Sequence, residues 1–202
     1  MSIDQLYKLK KKDLDKSSDI MADAFFDYPI FEHIAGSKHN NETLKIILKY
    51  YIKYSMIYGN AYATSSNLEG IILFIDYDNY KFNLFRSLRS GGLSLLKLGA
   101  DLGKRFNEFD KFCDRIHKKV IKQSHKYIMF IGVDPKEQGQ GFGGKLLEAL
   151  INTTKNEKEP IYLETHSIDN VAIYKKYGFK VKSEDTVPNS NIKQWSMMKN
   201  EY

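Results

Sequence analysis

Apolar side chains fall into two rhythms along this chain. Leu44, Ile47, Tyr51 and Tyr54 repeat at helical spacing, with Ile46, Tyr50 and Ile57 beside them, so a helix is expected from Asn41 to the stop at Gly59-Asn60. An earlier helix should run from Asp13 or Asp15 to about Phe26, where Asp27-Tyr28-Pro29 ends it. Ile3–Lys8 alternates and reads as a first strand, and residues 30–40 read as a loop. Strands are expected at Ala61–Ser65 and Glu69–Ile75, around the polar turn Ser66-Asn67, then at Tyr127–Val133 and Ile161–Thr165. Leu146, Leu147, Leu150 and Ile151 return to helical spacing, and Phe179–Ser183 and Ile192–Met198 give two closing strands around a polar turn. Between the third and fourth strands, residues 77–124 look helical. Phe82, Phe85 and Leu88 share a face, and Gly91-Gly92 breaks the segment. Phe106, Phe109, Cys113, Ile116 and Val120 follow on an amphipathic helix whose first half is weakened by Gly99 and Gly103.

Composition narrows this picture. A length of 202 residues fits one domain over residues 1–202, with 77–124 as an insertion. No apolar run reaches bilayer length, and Met1-Ser2-Ile3-Asp4 is neither basic nor followed by an apolar stretch, so neither a membrane span nor a signal peptide is expected. With Cys113 as the single cysteine no internal disulfide can form, which fits a reducing cytoplasm. The net charge of +6 is concentrated: residues 80–126 hold twelve Lys and Arg against four Asp and Glu. That segment is either a solvated helix face or an attractor for an acidic partner or for phosphates. It lacks the aromatic interleaving of a nucleic-acid motif.

The most informative stretch is Val133-Asp134-Pro135-Lys136-Glu137-Gln138-Gly139-Gln140-Gly141-Phe142-Gly143-Gly144, set between a strand and a helix. Glycines let the backbone approach a ligand, and the free N–H groups of a helix's first turn favour an anion such as a pyrophosphate. Gly139, Gly141 and Gly144 match G-x-G-x-x-G, and Glu164 lies about twenty residues on, as in a dinucleotide-binding oxidoreductase. A dinucleotide loop usually opens its domain, whereas this one begins past residue 130. Gln138-x-x-Gly141-x-Gly143 after Val133-Asp134-Pro135 resembles the acetyl-CoA loop of the GNAT superfamily of N-acetyltransferases. Asn170, Tyr174 and Gly178-Phe179 resemble that family's Asn-x-x-x-Tyr-x-x-x-Gly-Phe segment, in the expected order. Together the two motifs cover residues 127–182.

The resemblance implies an α/β (α+β) fold with a central mixed, mostly antiparallel sheet flanked by helices, and a helical insertion before the fourth strand. It implies acetyl transfer from acetyl-CoA to a primary amine of a small molecule or peptide, the N-terminal helical pair forming one wall of the acceptor site. The cofactor-binding set it implies is Ile131, Gly132, Val133, Gln138, Gly139, Gln140, Gly141, Phe142, Gly143, Gly144, Asn170 and Tyr174. Val133 N–H would polarise the thioester carbonyl, and Tyr174 would serve as general acid or, better, as a hydrogen-bond donor to the departing thiolate. A phenol near pKa ~10 is a weaker acid than a thiol near ~8.5. Tyr177 is the less favoured candidate. The base is left open among Glu164, Glu69, His125 and Tyr127. No metal is expected, since His117, His125 and Cys113 lack a completing ligand, and Cys113 reads as packing. The insertion is expected to be a lid over the acceptor pocket or a packing or homodimer surface, and its charge disfavours a polycationic acceptor. A CoA-binding regulatory protein without turnover is the alternative from another class.

Overall fold

The computed structural model describes residues 1–81 and 83–200, without the side chains of residues 156 and 157. Its frame is a seven-stranded sheet in the order β1-β2-β3-β4-β5-β7-β6. The strands are β1 (Tyr7–Lys8), β2 (Asn60–Ala63), β3 (Gly70–Asp76), β4 (Lys126–Val133), β5 (Ile161–Thr165), β6 (Lys180–Thr186) and β7 (Lys193–Lys199). Every neighbouring pair is antiparallel except β4 and β5. On one face lie α1 (Leu14–Ala24), α2 (Pro29–Ala35), α3 (Asn41–Tyr58) and α6 (Ala100–Val120). On the other lie α7 (Phe142–Glu157) and α8 (Ile168–Lys176). Among the described residues no helix is long and apolar enough to cross a membrane.

Local chemistry explains where the elements depart from the sequence pattern. Residues 30–40, expected as a loop, contain α2. α1 ends at Ala24, ahead of Pro29, and Pro29 occupies N1 of the next helix, where its missing N–H has no intrahelical partner to lose. The alternating segment Ile3–Lys8 is mostly not strand. Ser2 N–H donates to Gln5 Oε1 (2.7 Å), and Ile3 N–H donates to Thr153 Oγ1 on α7 (2.9 Å), which holds a 3-10 turn with Ile3 and Leu6 buried. α3 starts as anticipated, with the Asn40 side chain accepting from Thr43 N–H (2.9 Å).

The insertion is helical throughout its main elements, α4 (Leu84–Arg89), α5 (Leu93–Leu96) and α6. α6 buries Leu102, Phe112, Ile116 and His117, and Gly103 does not prevent it. Arg105 fastens it to the end of α2 by donating to the carbonyls of Ile34 (2.7 Å) and Ala35 (3.0 Å). Phe85 and Leu88, expected to share a face with Phe82, are exposed, while Phe82 lies outside the described residues.

α7 is seated by Leu146, Leu147 and Leu150 against Ile72, Phe74 and Ile128 of the sheet. Leu146 is fully buried, so Leu146→Ala should lower the unfolding free energy by about 2–5 kcal/mol in urea titrations. A loss below about 1 kcal/mol would contradict this packing.

Candidate active site

Two parallel strands form a fork. β4 and β5 pair only at Lys126↔Ile161 and Tyr127↔Tyr162. Lys126, bound to Asp76 (2.5 Å) and Glu159 (2.9 Å), clamps the closed end. Beyond it, the register of β3 against β4 shifts so that Leu73 faces Phe130 and Phe74 faces Ile128, leaving Met129 as an extra residue on β4. Such a bulge bends its strand and sharpens the twist, which carries residues 130–133 away from β5. The diverging end of β5 is held by Tyr28 instead: its hydroxyl lies 2.9 Å from Thr165 Oγ1, accepts from His166 N–H (2.7 Å) and meets the Asn170 side chain.

The outer half of β4 therefore has a free edge. Asp134 N–H donates to the Glu69 carbonyl (2.8 Å). By antiparallel alternation, the N–H and C=O of Val133 and Ile131 point away from β3 and into the fork. The edge leads to the glycine turn, where Gly139 and Gly141 take φ of +80° and +82° with open space where a Cβ would stand. Gly141 caps α7 without a side-chain bond, and the first helical bond runs from Lys145 N–H to the Gly141 carbonyl (3.0 Å). The N–H groups of Phe142, Gly143 and Gly144 thus have no intrahelical acceptor. Gly144 has a different duty, because a Cβ there would collide with the Tyr177 hydroxyl, so Tyr177 packs on α7. Gln138 reaches back to the Val133 carbonyl (3.4 Å) and Gln140 to Glu137 (2.7 Å).

Through the fork, side chains from both faces of the sheet meet in one cavity. Asn170 and Tyr174 of α8, Ile131, Phe130 and Met129 of β4, and Glu164 of β5 line it with residues of α2, α3 and α6. Of the predicted cofactor-binding residues, Ile131, Asn170 and Tyr174 line this cavity; Val133, Gln138 and the glycine turn are not on its wall, and Gly132 lets Met21 and Phe25 of the α1 region pack against β4. The Tyr174 hydroxyl makes no hydrogen bond among the described residues, and burial followed by the nearby Tyr28 phenol raises its pKa. It stays protonated, as a donor.

Of the four base candidates only Glu164 has suitable surroundings. Burial raises its pKa to about 7, against the opposing effect of the Tyr127 and Tyr162 hydroxyls that bind it; Asp110 pushes it further up. Tyr162 donates to Glu164 Oε1 at 2.9 Å and also lies 3.0 Å from Ser196 Oγ. Glu69 is held in the β2–β3 turn by Thr64 (2.8 Å) and Ser65 (2.9 Å), whose hydrogen bonds outweigh desolvation and lower its pKa. Tyr127 lines the cavity, but burial raises its pKa well above that of a free phenol. His125 is fully buried. The thiol of Cys113, also at the cavity, is kept protonated by burial.

Two histidines set the proton pattern behind Glu164. His125 Nδ1 lies 2.7 Å from the Gln123 carbonyl and must donate to it. Burial lowers the pKa of His125 and takes that of His117 to about 3, so both rings are neutral. His125 Nε2 is then bare and accepts from His117 Nε2–H (2.7 Å). That leaves a bare His117 Nδ1 facing Glu164 Oε1 at 3.8 Å, with no positive charge to hold the carboxylate ionised. Sequence reasoning missed His117, Asp110, Tyr28 and Tyr162. For the first two a signal existed: residues 110, 113 and 117 recur at helical spacing on one face of α6.

Comparison with known proteins agrees with this frame. A family model described as an acetyltransferase (GNAT) domain matches residues 117–201. An uncharacterized N-acetyltransferase of Schizosaccharomyces pombe is 32% identical over 179 residues, which cover 85% of this chain and 72% of that protein. A Corynebacterium glutamicum structure described as histone acetyltransferase HPA2 and related acetyltransferase superposes with a TM-score of 0.63 at 20% identity, over 98% of this chain and 96% of the other. A putative arylalkylamine N-acetyltransferase 7 from Aedes aegypti gives 0.63 at 12% identity, over 95% and 85%. The last two establish likeness of fold.

Glu164 carries a pH signature of definite sign. Its folded pKa of about 7 exceeds the ordinary 4.5, so the folded chain holds this proton more tightly than the unfolded one. The stabilisation is complete below the unfolded value and is lost as pH rises through the folded one. Relative to Glu164→Gln, the wild type should lose on the order of 3 kcal/mol between about pH 4 and about pH 8 in denaturant titrations. A pH-independent difference would contradict this environment.

Proposed function

This chain belongs to the GNAT superfamily of N-acetyltransferases, and from that premise we propose that it transfers the acetyl group of acetyl-CoA to a primary amine by direct attack. The observation that carries the proposal is the open fork. The free β4 edge runs into an uncapped glycine turn, and the cavity beside that edge holds a buried carboxyl of near-neutral pKa and an unbonded phenol.

The residues fit the cosubstrate. The N–H groups of Phe142, Gly143 and Gly144 would take the pyrophosphate, with Gly139 and Gly141 leaving room for it. The Val133 and Ile131 edge would pair with pantetheine amides as an added strand does. Asn170, bound to Tyr28, and Tyr174 would close the other side. When bound, the thioester supplies the acetyl carbon and a thiolate leaving group.

Glu164 accepts the proton of the incoming ammonium, so that the amine can attack the carbonyl carbon; a base with pKa near the working pH is best matched to this task. Backbone N–H groups beside the Met129 bulge stabilise the oxyanion. This moves the polarising donor inward from Val133, which lies four residues, or about 13 Å of strand, from the bulge. The C–N bond forms, the C–S bond breaks, and the proton that the new amide nitrogen sheds passes to the departing sulfur, to which Tyr174 donates a hydrogen bond. Its raised pKa makes it a donor rather than an acid.

Titration calorimetry tests the site. Gly141→Asp should weaken acetyl-CoA binding at least tenfold, about 1.4 kcal/mol, in protein that still unfolds cooperatively; unchanged affinity would remove the turn from the site. Tyr174→Phe should lower kcat while leaving the acetyl-CoA Kd within about threefold, because the hydroxyl acts mainly in the transition state. Wild-type kcat, with chemistry rate-limiting, would take Tyr174 out of the mechanism.

A further inference from the structure

The acceptor end of the cavity has a chemistry unlike the surface of the insertion that covers it. Residues 80–126 carry the chain's excess of positive charge, yet among the described residues no Lys or Arg lines the cavity, and the acidic side chains on its wall are Asp110 and Glu164. Apart from Arg105, which is tied to the end of α2, α6 turns its basic side chains outward and Phe106, Phe109 and Asp110 inward.

Opposite α6 stands a cluster of rings around Phe130. Its centroid lies 5.0 Å from that of Tyr51, 5.6 Å from that of Phe25 and 6.1 Å from that of Phe31. Tyr51 continues the cluster to Phe106 at 6.2 Å. Against this apolar wall, Asp110 is conspicuous. Among the described residues no hydrogen bond or ion pair engages its carboxylate, and burial, followed by neighbouring Asp114, raises its pKa. An unpaired carboxylate facing a cavity walled mostly by apolar groups is unfavourable until a cation arrives.

We propose that the acceptor is a monocationic primary amine on an aromatic or bulky apolar body, its ammonium group guided by Asp110 and its body held among Phe106, Phe109 and the Phe130 ring cluster. This rests on the acetyl-transfer reading above. Other amine classes fit less well. A polyamine would bring a second ammonium against rings, with both carboxyls already committed to the first. A peptide would bury several amide N–H and C=O groups against a wall made mostly of rings and aliphatic side chains, where the Tyr28 hydroxyl is already bonded to Thr165, His166 and Asn170. The outward basic charge, which on sequence alone disfavours polycations from outside, does not reach the interior.

The test uses 2-phenylethylamine, butylamine, spermidine and an alanyl peptide with the full chain. Turnover is followed by CoA release, and binding by calorimetry on CoA-saturated protein. The proposal expects 2-phenylethylamine to exceed spermidine and the peptide at least tenfold in kcat/KM, and butylamine by a smaller margin. Asp110→Asn should weaken 2-phenylethylamine binding at least tenfold and raise its KM, with acetyl-CoA affinity and the melting transition retained. Spermidine or the peptide being preferred, or unchanged 2-phenylethylamine binding in Asp110→Asn, would overturn the acceptor assignment alone, whereas no amine reacting in protein that binds acetyl-CoA would overturn it together with the acetyl-transfer reading. Failure to bind acetyl-CoA at all would overturn the acetyl-transfer reading and the acceptor assignment with it.

Discussion

One extra residue in a strand organises this molecule. Met129 has no partner across from it on β3, and the bulge it makes turns the rest of β4 out of the ladder with β5. A parallel sheet normally closes such a gap, since unpaired backbone groups inside a protein are costly. Here the Lys126 clamp holds the fork shut at one end, while Tyr28 satisfies the tip of β5 at the other. What is left open is a single edge of β4, and it runs straight into the glycine turn. The cavity, the convergence of α8 with α6, and the isolation of Glu164 all follow from that opening.

The protonation states form a consistent set. Burial keeps Tyr174, Tyr127 and Cys113 neutral and holds His117 and His125 uncharged, so the interior avoids unpaired ions except at the acidic groups. Glu164 avoids a full charge by titrating near neutrality. Those acidic groups are the ones placed to meet a cation. A strongly basic chain thus contains an acidic, aromatic interior, because α6 segregates its side chains by face.

Much of the frame was legible in the sequence. Patterns of two and of three to four residues located β2 to β5, α3, α6 and α7, and the glycine turn was found because its residues are local in sequence. The carboxyl environment was not legible. Glu164 could be named as one base among four, but the reason to prefer it comes from Tyr127, Tyr162 and His117, which are brought together by three different elements. Asp110 was hidden for a similar reason: one of four acids among the basic residues of its helix looks like surface charge until the helix is rotated against the sheet. Pro29 misled in the opposite way, since a ring read as a helix stop begins a helix instead.

The central claim is that the free half of β4 binds the acyl donor as a strand would. Residue-resolved amide hydrogen exchange, measured with and without saturating acetyl-CoA, tests it directly. Ile131 and Val133, whose N–H groups face the fork, should gain protection well beyond the general stabilisation that any ligand confers. Gly132, which by alternation donates to β3 in either state, should gain only that general increment. Equal protection at Ile131, Gly132 and Val133, or a response confined to distant segments, would contradict the account.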